Sequence, residues 1–240
     1  MSHEPIADVL TSEISGFANR LSEHPLMEAA RQGRVNPSTV ASYLAGIKCL
    51  MAQTPIQLER AAQALHADLP QLVAHFRQKQ REEDGHSDWA QGDLVELERV
   101  FGITAAGVPN SMLSIVAFTS EIAENRPCHY LVYMLFAEHI TVQLGEAWVN
   151  SLANQCGIPL SALSSIARHV ELDRYHVAEG KDQINDLLRD VSEPWPFVDT
   201  VRHAMSHFEA FCDELALSVE PQLGSTPFSK QPRQQRAPSA

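Results

Sequence analysis

Between Pro127 and Gly157 the chain runs through CHYLVYMLFAEHITVQLGEAWVNSLANQ, a long apolar stretch without a proline. It is too long for a strand, so it predicts a helix with a buried face that other elements must cover. Glu138 interrupts the most apolar part of this run, YLVYMLFAEHITVQL. An ionised carboxylate on a buried helix face is costly unless it is paired or binds a metal. Its presence therefore calls for a partner from elsewhere in the chain.

The other segments are helical too, and no run of alternating apolar and polar residues enriched in β-branched types is long enough to predict a strand. A first helix is expected over about residues 5 to 22, ending before His24-Pro25, then a short one stopped near Gly33. Asn36 followed by Pro37 is a strong helix start, and Val40, Tyr43, Leu44, Ile47 and Leu50 follow at helical spacing; Pro55 is a site for a kink or a restart. One helix is expected from about Leu69 through Gly85 to Phe101, stopping at Gly102, followed by the loop GITAAGVPN. Further helices open near Asn110, after Pro127, in SALSSIARHVELDRYHVAEGKDQINDLLRDV, and from Pro194 to about Leu217. The expectation is an all-α bundle of about seven to eight helices over residues 1–220. The tail PQLGSTPFSKQPRQQRAPSA, with four prolines and no acid, is expected to be disordered.

HVELDRYH sets His169, Asp173 and His176 at offsets that keep them within about 60° of one another on one helix face. EEDGHSDW contains Glu83 and His86 three residues apart, and Glu-x-x-His is the recurring donor unit of carboxylate-bridged two-metal sites in helical bundles. With Glu138 these make three carboxylates and three imidazoles, a thiolate-free donor set that suits iron or manganese better than zinc. Each unit also has a plain structural reading: a solvated charged face for the first two, and a buried polar network for Glu138. Jointly the three point to a metal centre.

Net charge is −12, from 30 acidic and 18 basic residues, which argues against partners that present a polyanionic backbone or an anionic membrane and leaves small molecules as the expected ligands. The start MSHEPIADVL has no basic region followed by an apolar one, and no stretch reaches the ~20 apolar residues that span a bilayer, so a cytoplasmic location is expected. Cys49, Cys128, Cys156 and Cys212 are widely spaced without a C-x-x-C, the pattern of free thiols.

HPLMEAARQGRVNPSTVASYLAG, EEDGHSDWAQGDL, FAEHITVQLGEAW and above all HVELDRYHVAEG resemble the haem-oxygenase-like diiron oxidases and oxygenases, relatives of the TenA and PqqC groups, over about residues 20 to 215. The resemblance implies two Fe(II) ions on Glu83, His86, Glu138, His169, Asp173 and His176, O2 as co-substrate, and an external reductant where the reaction needs one. It implies N-oxygenation or oxidative C–C cleavage of an amino acid, amine or fatty acid, with a homodimer among the assemblies to expect. Glu82 and Asp84 are rivals for the Glu83 position and Glu146 for that of Glu138. His139 stands where the resemblance implies a small residue. Lys48, Tyr133 and His139 are candidate substrate contacts, and Tyr130, Met134 and Phe136 are candidates for pocket or core. The competing readings are a metal-free TenA- or PqqC-like enzyme using a carboxylate with Cys128 or Cys156, haem ligation by His24, and a non-enzymatic helical scaffold.

Overall fold

The computed structural model describes residues 5–65, 69–103, 107–188 and 194–219. The tail expected to be disordered lies outside these residues. Among them the chain forms nine α-helices and no strand: α1 (Ile6–Ser22), α2 (Pro25–Arg31), α3 (Pro37–Ala64), α4 (Pro70–Glu83), α5 (His86–Phe101), α6 (Asn110–Asn125), α7 (Pro127–Asn154), α8 (Ser164–Leu187) and α9 (Trp195–Ala216), with a short 3-10 turn at Leu160–Ala162. The expected all-α bundle is what forms. No helix among the described residues is long and apolar enough to cross a membrane.

Local chemistry sets the boundaries. Asn36 Oδ1 accepts the Thr39 N–H at 2.8 Å and Pro37 supplies a fixed φ, which starts α3 where the sequence predicts. That helix runs through Pro55 without a break. A proline removes one backbone hydrogen bond, and the packing of α3 against α4, α5 and α6 outweighs that loss.

The expected single helix from Leu69 to Phe101 is instead two. Gly85 adopts a φ of 83°, a left-handed conformation that no helix interior contains and that glycine reaches without steric cost. Glu83 thus ends one helix and His86 begins the next.

Helix α7 is the core helix of the bundle: Tyr130 through Phe136 are seven consecutive buried residues, so it is covered on every side by its neighbours. Its most extensive partner is α8. The two backbones close up at Gly145, where an added Cβ would stand 2.5 Å from Val170 Cγ2.

Helix α8 has no capping side chain of its own at its first turn. The cap comes from α5. Asp93, fully buried, accepts the Ser164 N–H at 3.1 Å and its hydroxyl at 2.6 Å through Oδ1, and the Ser165 N–H at 2.8 Å and its hydroxyl at 2.6 Å through Oδ2. A buried carboxylate with all its lone pairs engaged, at the positive end of a helix, is strongly held. All four cysteines are free, Cys212 buried and the others half-buried.

Replacing Asp93 with alanine strands the buried Ser165 N–H and hydroxyl and removes the partner of the half-buried Ser164 pair, and should lower the unfolding free energy by about 3 kcal/mol. Denaturant midpoints of Asp93→Ala and wild type check this, with Asp93→Asn expected in between because it keeps one acceptor oxygen.

Candidate metal centre

The split at Gly85 leaves Glu83 and His86 in contact rather than separating them: His86 Nδ1 lies 3.0 Å from Glu83 Oε2 across the turn. Helix α8, fixed on α5 by Asp93, brings His169 against the same spot, its ring centroid 5.0 Å from that of His86. Glu83, His86 and His169 form a group of three ligand-type side chains whose donor atoms all lie within 4.8 Å of one another. It is the one such group found among the described residues. Trp89 stacks on His86 at 4.1 Å and meets His169 edge-on at 5.4 Å, which restrains both rings.

His169 is also oriented. Its Nδ1 stands 2.8 Å from the Ser165 carbonyl oxygen, which accepts only an N–H, so the neutral ring carries its proton on Nδ1 and presents the Nε2 lone pair. Burial works to raise Glu83, but the hydrogen bond from His86 and the nearby imidazoles outweigh it, leaving its carboxyl below the usual range. An ionised carboxylate and an oriented imidazole are what a metal requires.

Glu138, Asp173 and His176 form an adjoining group. His176 Nδ1 is 3.3 Å from Asp173 Oδ1 and 3.7 Å from Glu138 Oε1. The Asp173 contact raises His176, burial raises Asp173, and burial pushes Glu138 up to about 8 against the opposing pull of Lys79. Lys79 is the residue that sequence reasoning passed over. Its side chain, 1% exposed, puts Nζ 3.7 Å from Glu138 Oε1, 3.2 Å from Glu179 Oε2 and 3.5 Å from Glu82 Oε2.

Glu83, Glu138, His169 and Asp173 together form the polar wall of a cavity of about 150 Å³. The remaining wall is largely apolar, with Tyr43, Tyr130, Tyr133 and Met134. Tyr43, Tyr133 and Ile166 also line a neighbouring apolar cavity of about 130 Å³, with Phe136 and Trp148 beyond them.

The other expectations fall as follows. Tyr133 lines both cavities. Lys48 is on neither lining and donates to Gln91 Oε1 at 2.5 Å, and His139 faces Ser15 and Gln143. Of the three adjacent acids, Asp84 is exposed, Glu82 turns to Lys79, and Glu83 lines the cavity. Glu146 is exposed and pairs with Arg174 at 3.3 Å. His24 has both ring nitrogens engaged, Nδ1 by the Leu26 N–H and Nε2 by Asp213, so it offers no lone pair to a haem. Cys156 donates to the Ala30 carbonyl, burial raises both its thiol and that of Cys128, and neither thiol lines these cavities.

Comparison with solved structures decides the architecture. A domain of unknown function from Shewanella denitrificans, described as having a haem-oxygenase-like fold, superposes with a TM-score of 0.73 at 14% identity, over 88% of this chain and 92% of that one. The fold is haem-oxygenase-like. A TenA homologue from Pseudomonas syringae shares it, with a TM-score of 0.69 at 13% identity over 90% of this chain and 94% of the other. No family model and no curated protein matches the sequence. In this haem-oxygenase-like bundle α4, α7 and α8 supply the ionisable residues of the cavity wall, and α5 places His86 against Glu83.

Glu138 gives a pH signature in the metal-free protein. A carboxyl raised from 4.5 to about 8 favours folding fully below the unfolded value, and that contribution is lost as pH rises through the folded one. With a chelator present, Glu138→Gln should gain stability over wild type from about pH 5 to about pH 8, by at most about 1.4 kcal/mol per pH unit. Urea midpoints across that range test it; a pH-independent difference would contradict the burial.

Proposed function

We propose that this protein is a non-haem-iron, O2-dependent oxidoreductase acting on a small amphipathic molecule. The observation that carries the reading is the Glu83–His86–His169 group, one carboxylate and two imidazoles, beside a largely apolar cavity. Two imidazoles and one carboxylate with open positions is the donor chemistry associated with Fe(II) oxygenases. The fit to iron rests on that donor set and on the His169 tautomer. Manganese shares much of the same coordination preference.

An iron ion bound there supplies the reduction of O2 that protein side chains lack. The chain's own residues do the rest. Trp89 and the Ser165 carbonyl hold the two rings in place, and Glu83 brings negative charge to the ion. Tyr130, Tyr133 and Met134 exclude water and give an apolar body something to pack on. The substrate class that fits is one with a polar end at the Glu83–His169 wall and an apolar body running past Tyr133 toward Phe136 and Trp148. Amino acids, amines and fatty acids all contain such molecules, and N-oxygenation and oxidative C–C cleavage are the reactions to assay first.

A second reading is a metal-free enzyme like the TenA homologue in fold. Glu138, held beside Lys79 and pushed toward its protonated form, favours it, because this carboxylate has a partner and a proton without any metal. The absence of Cys128 and Cys156 from the two cavities disfavours its thiol-dependent version.

Anaerobic Fe(II) titration separates the two. Wild type should bind Fe(II), and Glu83→Ala and His169→Ala should each weaken binding by at least about tenfold while retaining the helical circular-dichroism spectrum. Substrate-dependent O2 uptake should then follow iron content. Binding equal to wild type in both variants, or turnover undiminished by a chelator, would overturn the iron reading.

A further inference from the structure

The two groups of ionisable side chains at the cavity are not equivalent. Glu83, His86 and His169 converge, whereas Glu138, Asp173 and His176 do not form a second group of donors all within 4.8 Å of one another among the described residues. The second set holds instead a positive group of its own. Lys79 lies on α4 one turn before Glu83, its ammonium is buried, and Nζ makes no hydrogen bond. It is set among carboxylates, with Glu138 Oε1 at 3.7 Å, Glu179 Oε2 at 3.2 Å and Glu82 Oε2 at 3.5 Å.

An ammonium out of water needs counter-charge, and long helical lysines ordinarily reach solvent instead. A divalent ion bound to Glu138 from the His176 side would share that oxygen with the ammonium and meet its charge at close range in a medium of low dielectric. One of the two cations must give way.

We propose that the centre takes a single divalent ion, on Glu83, His86 and His169, and that Lys79 holds the second cation position by occupying Glu138. Lys79 is a positioning residue, because it touches Glu138 and lies outside the cavity lining. The inference rests on the metal reading above and replaces a two-iron centre with one iron and one fixed ammonium.

Mn(II) added to metal-free, full-length protein tests this through binding and spectroscopy, without turnover. Wild type should take up one Mn(II) per chain and show the hyperfine sextet of an isolated ion. Lys79→Met and the milder Lys79→Gln should take up a second ion, at least about tenfold more tightly than wild type does, with a spin-coupled spectrum. Adding Glu138→Gln to either should remove that second ion. Two ions bound to wild type with a coupled spectrum would overturn the inference and leave the iron reading standing, and this arm needs no variant to fold. Folded Lys79 variants that stay at one ion would overturn it too. No Mn(II) or Fe(II) bound to wild type would overturn both.

Discussion

The contact between Asp93 and the first turn of α8 is the interaction on which the candidate site depends. His86 opens α5 and Asp93 lies two turns further along it, while His169, Asp173 and His176 follow Ser164 and Ser165 on α8. Four hydrogen bonds into one buried carboxylate set the start of α8 relative to α5 and hence the distance between the His86 and His169 rings. The close approach of α7 and α8 at Gly145 then carries Glu138 to the same wall. A donor group assembled from α4, α5 and α8 needs such a register, because displacement by one residue along α8 would be about 1.5 Å and would rotate the next side chain by about 100°.

Charge is the second constraint. Glu82, Glu83, Glu138, Asp173 and Glu179 crowd a region with a largely apolar cavity on one side. Ionised together without cations they would repel strongly. The structure meets this with hydrogen bonds from His86 and His176, with a raised Glu138, and with the ammonium of Lys79. A metal ion at Glu83 would complete the same compensation where no lysine reaches. The haem-oxygenase-like bundle thus carries an asymmetric polar wall, and in the single-ion proposal that asymmetry, rather than the number of carboxylates, sets how many ions are taken up.

Much of the fold was legible. The apolar run of α7 and the Asn36-Pro37 start were readable because their causes are local in sequence. The break at Gly85 was not, since a glycine inside a helical pattern is tolerated or fatal depending on what packs on either side. Glu83 and His86 were nonetheless read as a pair, and they do meet, though across a turn and not on one helix face. His169, Asp173 and Glu138 were legible as ionisable residues at apolar or striped positions. Lys79 was hidden inside QLVAHFRQKQREED, where lysine ordinarily signals a solvated face. Asp93 was hidden because its partners stand 71 and 72 residues away. Lys48 stands on an apolar helix face as a substrate anchor would, but its ammonium reaches Gln91.

Anomalous diffraction from crystals grown with Mn(II) both counts the bound ions and shows where Lys79 lies. A single peak is expected at roughly 2.0 to 2.3 Å from a Glu83 carboxylate oxygen, a His86 ring nitrogen and His169 Nε2, with Lys79 still against Glu138. No peak at that position, or a peak between Glu138 and His176 with Lys79 turned away, would contradict it.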